Sequence, residues 1–210
     1  MKRDRSPLLT HLRADTIRQF GTYRFALLIK AFFSNPCFRP LVTLRLCQSV
    51  KVSRSFSWLL LPLLKIFHHL GKKSAGIDLP WRTKVGSGLH IAHGFGLVIN
   101  PNAVIGNNVT LFHGVTLGRR DRIAPDGTRT TSYPFLEDDV WCGPHAVIVG
   151  VRIGQGSRIA GGAFVTQDIP PHSLVIGNPA QIVKTGVPPD VINRAPISDN
   201  EPTPEATRQI

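Results

Sequence analysis

The chain has 210 residues, 25 Lys and Arg against 13 Asp and Glu, and a formal net charge of +12. That length suits one full domain, or a domain with a smaller appendage, and it can bury a sizeable core. Three cysteines, Cys37, Cys47 and Cys142, are odd in number and lack CxxC or Cys/His ligand spacing. They argue against a disulfide framework and fit a reducing cytosol, with thiols used as small apolar residues.

The charge is unevenly placed. Residues 1–76 hold 14 Lys/Arg and two acids, Asp4 and Asp15, whereas the remaining 134 residues hold 11 of each sign. A basic N-terminal third favours anionic partners: a membrane surface, a lipid-linked anionic glycan or nucleic acid. A solvated helix surface is the plainer reading, and no nucleic-acid recognition motif accompanies the charge. The start, "MKRDRSPLLTHLRADTIRQF", lacks the apolar core of a secretory signal. The most apolar stretch, "WLLLPLLKIFHHL" (58–70), contains a Pro, a Lys and two His and is too short and too polar to span a bilayer. The expectation is a cytoplasmic protein that touches the inner face of a membrane at most.

In chain order, residues 1–75 mix apolar and basic residues at helical spacing, with breaks at Asn35-Pro36 and Arg39-Pro40 that predict several short helices. After Gly76 the pattern becomes hexameric. Ile99, Ile105, Leu111 and Leu117 lie six apart, and Leu97, Ala103, Val109 and Val115 form a second series two positions earlier. The period resumes with Cys142 and Ile148 and with Ile153, Ile159 and Val165, the step from Ile148 to Ile153 being one residue short. A fixed six-residue period predicts a parallel β-helix in which the aliphatic residue points inward and each hexapeptide supplies one strand and its corner. A polar loop, 118–139, interrupts the period and reads as a binding element on a rigid scaffold. Residues 187–210 are Pro-rich and polar and are expected to form a flexible tail.

"GIDLPWRTKVGSGLHIAHGFGLVINPNAVIGNNVTLFHGVTLG" and "PPHSLVIGNPAQIV", within residues 76–186, resemble the left-handed β-helix acyltransferases of the hexapeptide-repeat superfamily. The resemblance lies in the branch containing serine O-acetyltransferases and colanic-acid-type exopolysaccharide O-acetyltransferases. It implies a mainly β fold, a left-handed parallel β-helix with an N-terminal α-helical region. It also implies acetyl transfer from acetyl-CoA to a hydroxyl, in a homotrimer or a dimer of trimers. A non-catalytic β-helix binding protein is the remoter alternative.

O-acylation needs a general base, since an alcohol is a weak nucleophile at neutral pH, and neutral imidazole suits the task. The resemblance places that base on His93 and its carboxylate partner on Asp78, fifteen residues earlier. Backbone N–H groups near Gly118 are the expected oxyanion donors. His113, Arg119, Arg120 and Tyr133 are the expected acceptor contacts. His90 reads as scaffold. For acetyl-CoA the resemblance implies Gly118, Ala160, Gly161, Gly162, Pro171 and Lys184, although Gln181 stands where the family often has a basic residue. No metal is expected: the HxxxxH pair of β-helix carbonic anhydrases is absent, because Gly118 follows His113 by five.

The acceptor divides the branch. Serine acetyltransferases carry an Asp before the catalytic His and an Arg-His-Pro segment, where this chain has Ala92 and Ser132-Tyr133-Pro134. With Arg119, Arg120, Arg122 and Arg129 in the loop, the expectation is a sugar hydroxyl of an exopolysaccharide, with serine as the alternative.

Overall fold

The computed structural model describes residues 7–52 and 57–197. Four helices come first: α1 (Pro7–Phe20), α2 (Phe25–Ser34), α3 (Arg39–Val52) and α4 (Ser57–Ala75). Asn35-Pro36 ends α2 as expected. Arg39-Pro40 instead opens α3, where a proline in the first turn forfeits no intrahelical bond. Gly76, at φ +63°, ends α4 in a Schellman arrangement: Ile77 N–H donates to Lys72 C=O at 3.1 Å and Gly76 N–H to Lys73 C=O at 3.2 Å.

The coil then winds. Its first turn contains β1 (Lys84–Val85), β2 (His90–Ala92) and β3 (Val98–Ile99), and its second β4 (Val104–Ile105), β5 (Thr110–Phe112) and β6 (Thr116–Gly118). A hairpin, β7 (Arg120–Ile123) with β8 (Arg129–Ser132), leaves the coil. The third turn holds β9 (Phe135–Leu136), β10 (Trp141–Cys142) and β11 (Val147–Val149), and the fourth β12 (Arg152–Ile153), β13 (Arg158–Ile159) and β14 (Phe164–Val165). β15 (Leu174–Ile176) adds a last rung, and β16 (Gln181–Lys184) folds back antiparallel on it.

Equivalent strands stack in parallel into three faces: β1-β4-β9-β12, then β2-β5-β10-β13-β15, then β3-β6-β11-β14. The hexameric series lines the prism axis, and Ile99, Ile105, Leu111, Leu117, Cys142, Ile148, Ile153, Ile159 and Val165 are all buried. Burial pushes the Cys142 thiol up, so this cysteine packs as a small apolar side chain. Residues in left-handed conformation stack at the corners. Along the edge between the first and second faces run Gly88, Asn108, Asp139, Gly156 and His172, each at positive φ. Along the edge between the second and third run His93, Gly114, His145 and Gly162.

The interruption is shorter than the expected 118–139. The coil resumes at Phe135, and Leu136 belongs to the inward series six before Cys142. The short step from Ile148 to Ile153 falls where the hairpin emerges one turn below. There Gly150 has φ +62°, and a Cβ on it would lie 2.4 Å from Arg120 Cβ and 2.5 Å from Ser132 Oγ. The shortened corner leaves room for the base of the hairpin.

The helical region is tied to the first turn of the coil by buried polar groups. Asp15 and Arg45 pair at 3.0 Å with both side chains fully buried. Arg45 also donates to Val85 C=O (2.7 Å) and Gly86 C=O (2.6 Å), and Asp15 Oδ1 accepts from Gly88 and Leu89 N–H (2.9 and 3.1 Å). Arg18 donates to Gly88 C=O and to Thr110 Oγ1, and burial lowers its pKa to about 10.

The stretch expected to open a flexible tail is docked as far as residue 197. Asn108 and Ala195 exchange two hydrogen bonds of 3.0 Å, Arg194 pairs with Asp139 at 2.9 Å, and Arg18 donates to Ile192 C=O. The Asn108 side chain thus satisfies the backbone of Ala195, and the Asp139 carboxylate at the next corner holds the Arg194 guanidinium. Residues 198–210 lie outside the described residues.

Candidate active site

His93 lies in the longest of the corners between the second and third faces. Ile91 and Ile99 are eight apart rather than six, and the two extra residues push the loop 93–96 outward. The His93 side chain is exposed, on backbone at φ +53°. The loop is held from both sides. Gly94 N–H donates to Cys37 Sγ at 3.3 Å, so the helical region buttresses it. Gly96 N–H donates to Gly76 C=O at 2.8 Å, and the Phe95 ring lies where a Cβ of Gly76 would be, 2.5 Å from that position.

Asp78 sits one rung below, on the third face, bridged to Val98. Its partner is not the one expected. Asp78 Oδ1 accepts from Lys72 Nζ at 2.7 Å, and no hydrogen bond joins it to His93 among the described residues. The cause is local: the Schellman turn brings the last helical turn back beside Asp78, and the Lys72 ammonium reaches the carboxylate first. The Asp78 side chain is 59% exposed, so this pair contributes little to stability.

His113 follows β5 on the same edge as His93, one turn higher. Its ring meets that of His145 edge-on with centroids 5.0 Å apart, and its Nδ1 is buried without a partner. His145 was not singled out from sequence; its signal was the corner position of "GPHA", stacked above "HGVT", where His145 N–H donates to His113 C=O at 2.9 Å. The His145 ring occupies the space over Gly114, where a Cβ would come within 2.2 Å of His145 Nδ1. Gly114→Ala, also strained at φ +65°, is expected to displace the His145 ring and to lower stability by ~1–3 kcal/mol. Urea unfolding checks the loss, and the imidazole resonances of His145 in an NMR spectrum check the displacement.

His90, expected to be scaffold, opens β2, the strand that leads into the His93 loop. Its ring is half-buried in a cleft of ≈660 Å³ lined by Arg18, Phe20, Ile192 and Asn193 among others. Burial first, then Arg18 and His93, push its pKa from 6.5 down to about 4. The unfolded chain therefore binds this proton first on acidification. The His90 contribution to stability is fully present above its unfolded pKa and is lost as the pH falls towards 4, ~2 kcal/mol of it between pH 7 and pH 5. Denaturant unfolding at these two pH values should show the loss, and His90→Gln should remove most of that part; the lowered pKa values of His11 and His68 leave a residual slope.

The hairpin arginines are less available than the sequence implies. Arg119 and Arg129 both pair with Asp121, at 3.4 and 2.9 Å, and Thr131 Oγ1 donates to the same carboxylate. The Thr131 hydrogen bond comes first among the influences that lower the Asp121 pKa. Arg120 is half-buried and donates to Thr166 C=O at 2.6 Å. Arg122, exposed, is the one of the four whose side chain makes no ion pair or hydrogen bond among the described residues. Tyr133 is half-buried where the hairpin rejoins the coil.

The expected cofactor residues are divided between corners. Ala160, Gly161 and Gly162 lie on the histidine edge, and a Cβ on Gly162 would meet nothing within 4 Å. Gly118 ends β6 beside the hairpin, and its carbonyl accepts from Gly150 N–H at 2.9 Å. Pro171 lies on the edge between the first and second faces, stacked against Gly154, and Lys184 is exposed on β16. Within one chain, Pro171 is thus not brought to the edge that carries Ala160–Gly162. No group of three or more His, Cys, Asp or Glu positioned to hold a metal ion occurs among the described residues.

No family model matches the chain. It is similar in sequence to the serine acetyltransferase of Synechococcus elongatus, 30% identical over 160 residues that cover 73% of this chain and 64% of that protein. It is also similar to serine acetyltransferase 4 of Arabidopsis thaliana, 38% identical over 51% of this chain and 29% of the relative. In structure it matches the serine acetyltransferase of Neisseria gonorrhoeae with a TM-score of 0.68 at 26% identity, over 86% of this chain and 66% of that one. The chain spans between 29% and 64% of the length of these two curated relatives. The fold is a left-handed β-helix of the hexapeptide-repeat type, shared with these serine acetyltransferases. Its likeness, in sequence and in structure, is to serine acetyltransferases.

These findings overturn the expected exopolysaccharide acceptor, since the relatives matched here are serine acetyltransferases. The hairpin agrees on physical grounds. Three of the four arginines that favoured an anionic glycan are already engaged within the chain.

Proposed function

We propose that the protein is a serine O-acetyltransferase, moving the acetyl group of acetyl-CoA to the hydroxyl of serine. The likeness to serine acetyltransferases carries this reading. His93 acts as general base: its neutral imidazole takes the hydroxyl proton as the serine oxygen attacks the thioester carbonyl carbon. The tetrahedral intermediate then expels the CoA thiolate, which takes the proton back from the imidazolium. The exposed loop supports this role, since it presents the ring to solvent from a corner fixed by Cys37 and Gly76. Asp78, one rung below, exchanges its Lys72 partner for the imidazolium as the charge forms. Backbone N–H groups near Gly118 stabilise the oxyanion, and the bare Gly162 corner leaves room for the pantetheine arm.

The substrate carboxylate needs a cation, because Ser132-Tyr133-Pro134 stands where serine acetyltransferases carry Arg-His-Pro. Arg122 is the hairpin cation free to provide it. The sites form in the trimer expected of this family. Thiol release from acetyl-CoA, measured with L-serine and with a panel of sugars, tests the reading. Saturable turnover with L-serine supports it, and turnover with a sugar but not with serine sinks it.

A further inference from the structure

We propose that the outward faces of α2 and α4 dock this protein onto an anionic lipid surface. Globular proteins turn the apolar stripe of an amphipathic helix inward. Here two helices turn a stripe outward. On α2 the side chains of Phe25, Ile29 and Phe33, four residues apart, are 68, 41 and 69% exposed. On α4 the side chains of Leu59, Leu63, Ile66 and Leu70, spaced by four, three and four, are 62, 49, 58 and 54% exposed. The opposite side of α4 makes the inward contact through His68, Gly71 and Ala75, with His68 bonded to Thr43 and to Leu79 C=O. A cleft of ≈490 Å³ connects the two stripes: Leu70 of the α4 stripe and Phe32 of α2 lie in its walls, and the ring of Phe33, in the α2 stripe, meets that of Phe32 edge-on with centroids 5.3 Å apart. An apolar surface of this extent marks a contact site.

Charge identifies the occupant. Between Asp15 and Asp78 the chain has ten Lys/Arg and no acidic residue. Lys30 on α2 and Lys73 on α4 are exposed beside the stripes, and Lys65 lies 4.9 Å from the centroid of the Trp81 ring at the flank of α4. A second copy of the chain seated on this face would bring the same positive charges together. A neutral apolar partner would leave them unpaired. Anionic headgroups match the cations, while the acyl boundary takes the aromatic and aliphatic side chains. No helix among the described residues is long and apolar enough to cross a membrane, so α2 and α4 lie in the plane of the interface.

The proposal is independent of the acceptor, and its test reads binding rather than turnover. The full chain is sedimented with vesicles of phosphatidylcholine, with and without phosphatidylglycerol, at low and high salt. The expected result is binding that needs phosphatidylglycerol and weakens with salt. The triple substitution Phe33→Ser, Leu63→Ser and Ile66→Ser is expected to reduce bound protein by ~10-fold or more. A second variant, Lys30→Glu with Lys73→Glu, touches no apolar side chain and should lose the preference for anionic vesicles. It decides the matter if the triple variant does not fold. Equal binding to both vesicle types, or none, overturns the proposal. So does a triple variant that keeps vesicle binding but has a lower mass by light scattering, which would assign the face to a second copy.

Discussion

His93→Asn is expected to lower the turnover of acetyl-CoA with serine by ~10²–10⁴-fold, the range that a positioned general base contributes. Asparagine tolerates the left-handed backbone that His93 adopts at φ +53°. The ring is also exposed, so the melting temperature should stay within a degree or two of the parent. Steady-state thiol release and a thermal melt on the same preparation separate chemistry from folding. His90→Gln provides the contrast, since it alters the acid side of the stability curve and leaves turnover near the parent value at neutral pH. If His93→Asn retains full activity, the base lies elsewhere, and His113, on the same edge with its unpartnered Nδ1, becomes the first residue to test.

Arg45→Met is expected to destabilise the protein by ~3–5 kcal/mol, because it leaves the Asp15 carboxylate buried with its ion-pair partner gone. The same change removes donors from Val85 and Gly86 C=O at the first turn of the coil. Asp15→Asn should also destabilise, because the Arg45 guanidinium is then the charge left buried without its partner, although the amide oxygen still accepts from Gly88 or Leu89 N–H. The double substitution should cost less than the sum of the two singles, because neither charge is then left buried alone. Urea unfolding of the four proteins closes that cycle. Additive losses would mean that the pair does not clamp the helices to the coil.

The coil was legible because a stacked solenoid writes its geometry locally. Each inward residue is followed six positions later by the next, and every member of the hexameric series read from sequence is buried. The one-residue deficit after Ile148 was visible as well, although its reason was not. It lies in the contact of Gly150 with Arg120 and Ser132, which needs the hairpin to be folded. The end of the interruption was placed late because Leu136 was not joined to Cys142 and Ile148. For the site, the family resemblance pointed to the loop through His93 and Asp78, whereas the eight-residue step at Ile91–Ile99 was recognised only from the structure. Spacing carries no account of competition, however, and Lys72, six residues before Asp78, holds the carboxylate at 2.7 Å. Likewise, four arginines in a loop read as four free cations, whereas Asp121 engages two and Thr166 C=O a third.

The sequence by itself determined the three-sided β-helix, the place of His93 at a corner of the coil and the basic bias of the first third. These are properties of neighbours within one repeat or of bulk composition, and they survive without knowledge of long-range contacts. Only the tertiary structure decided which charges remain free, that residues 187–197 return to the coil, and that α2 and α4 turn apolar side chains to the outside. Those outcomes depend on partners far apart in the chain, such as Asp15 with Arg45 and Asn108 with Ala195, separated by 30 and 87 residues. No repeat encodes such pairs. They follow from burial, which rewards a polar group only when folding has brought its partner within hydrogen-bonding distance.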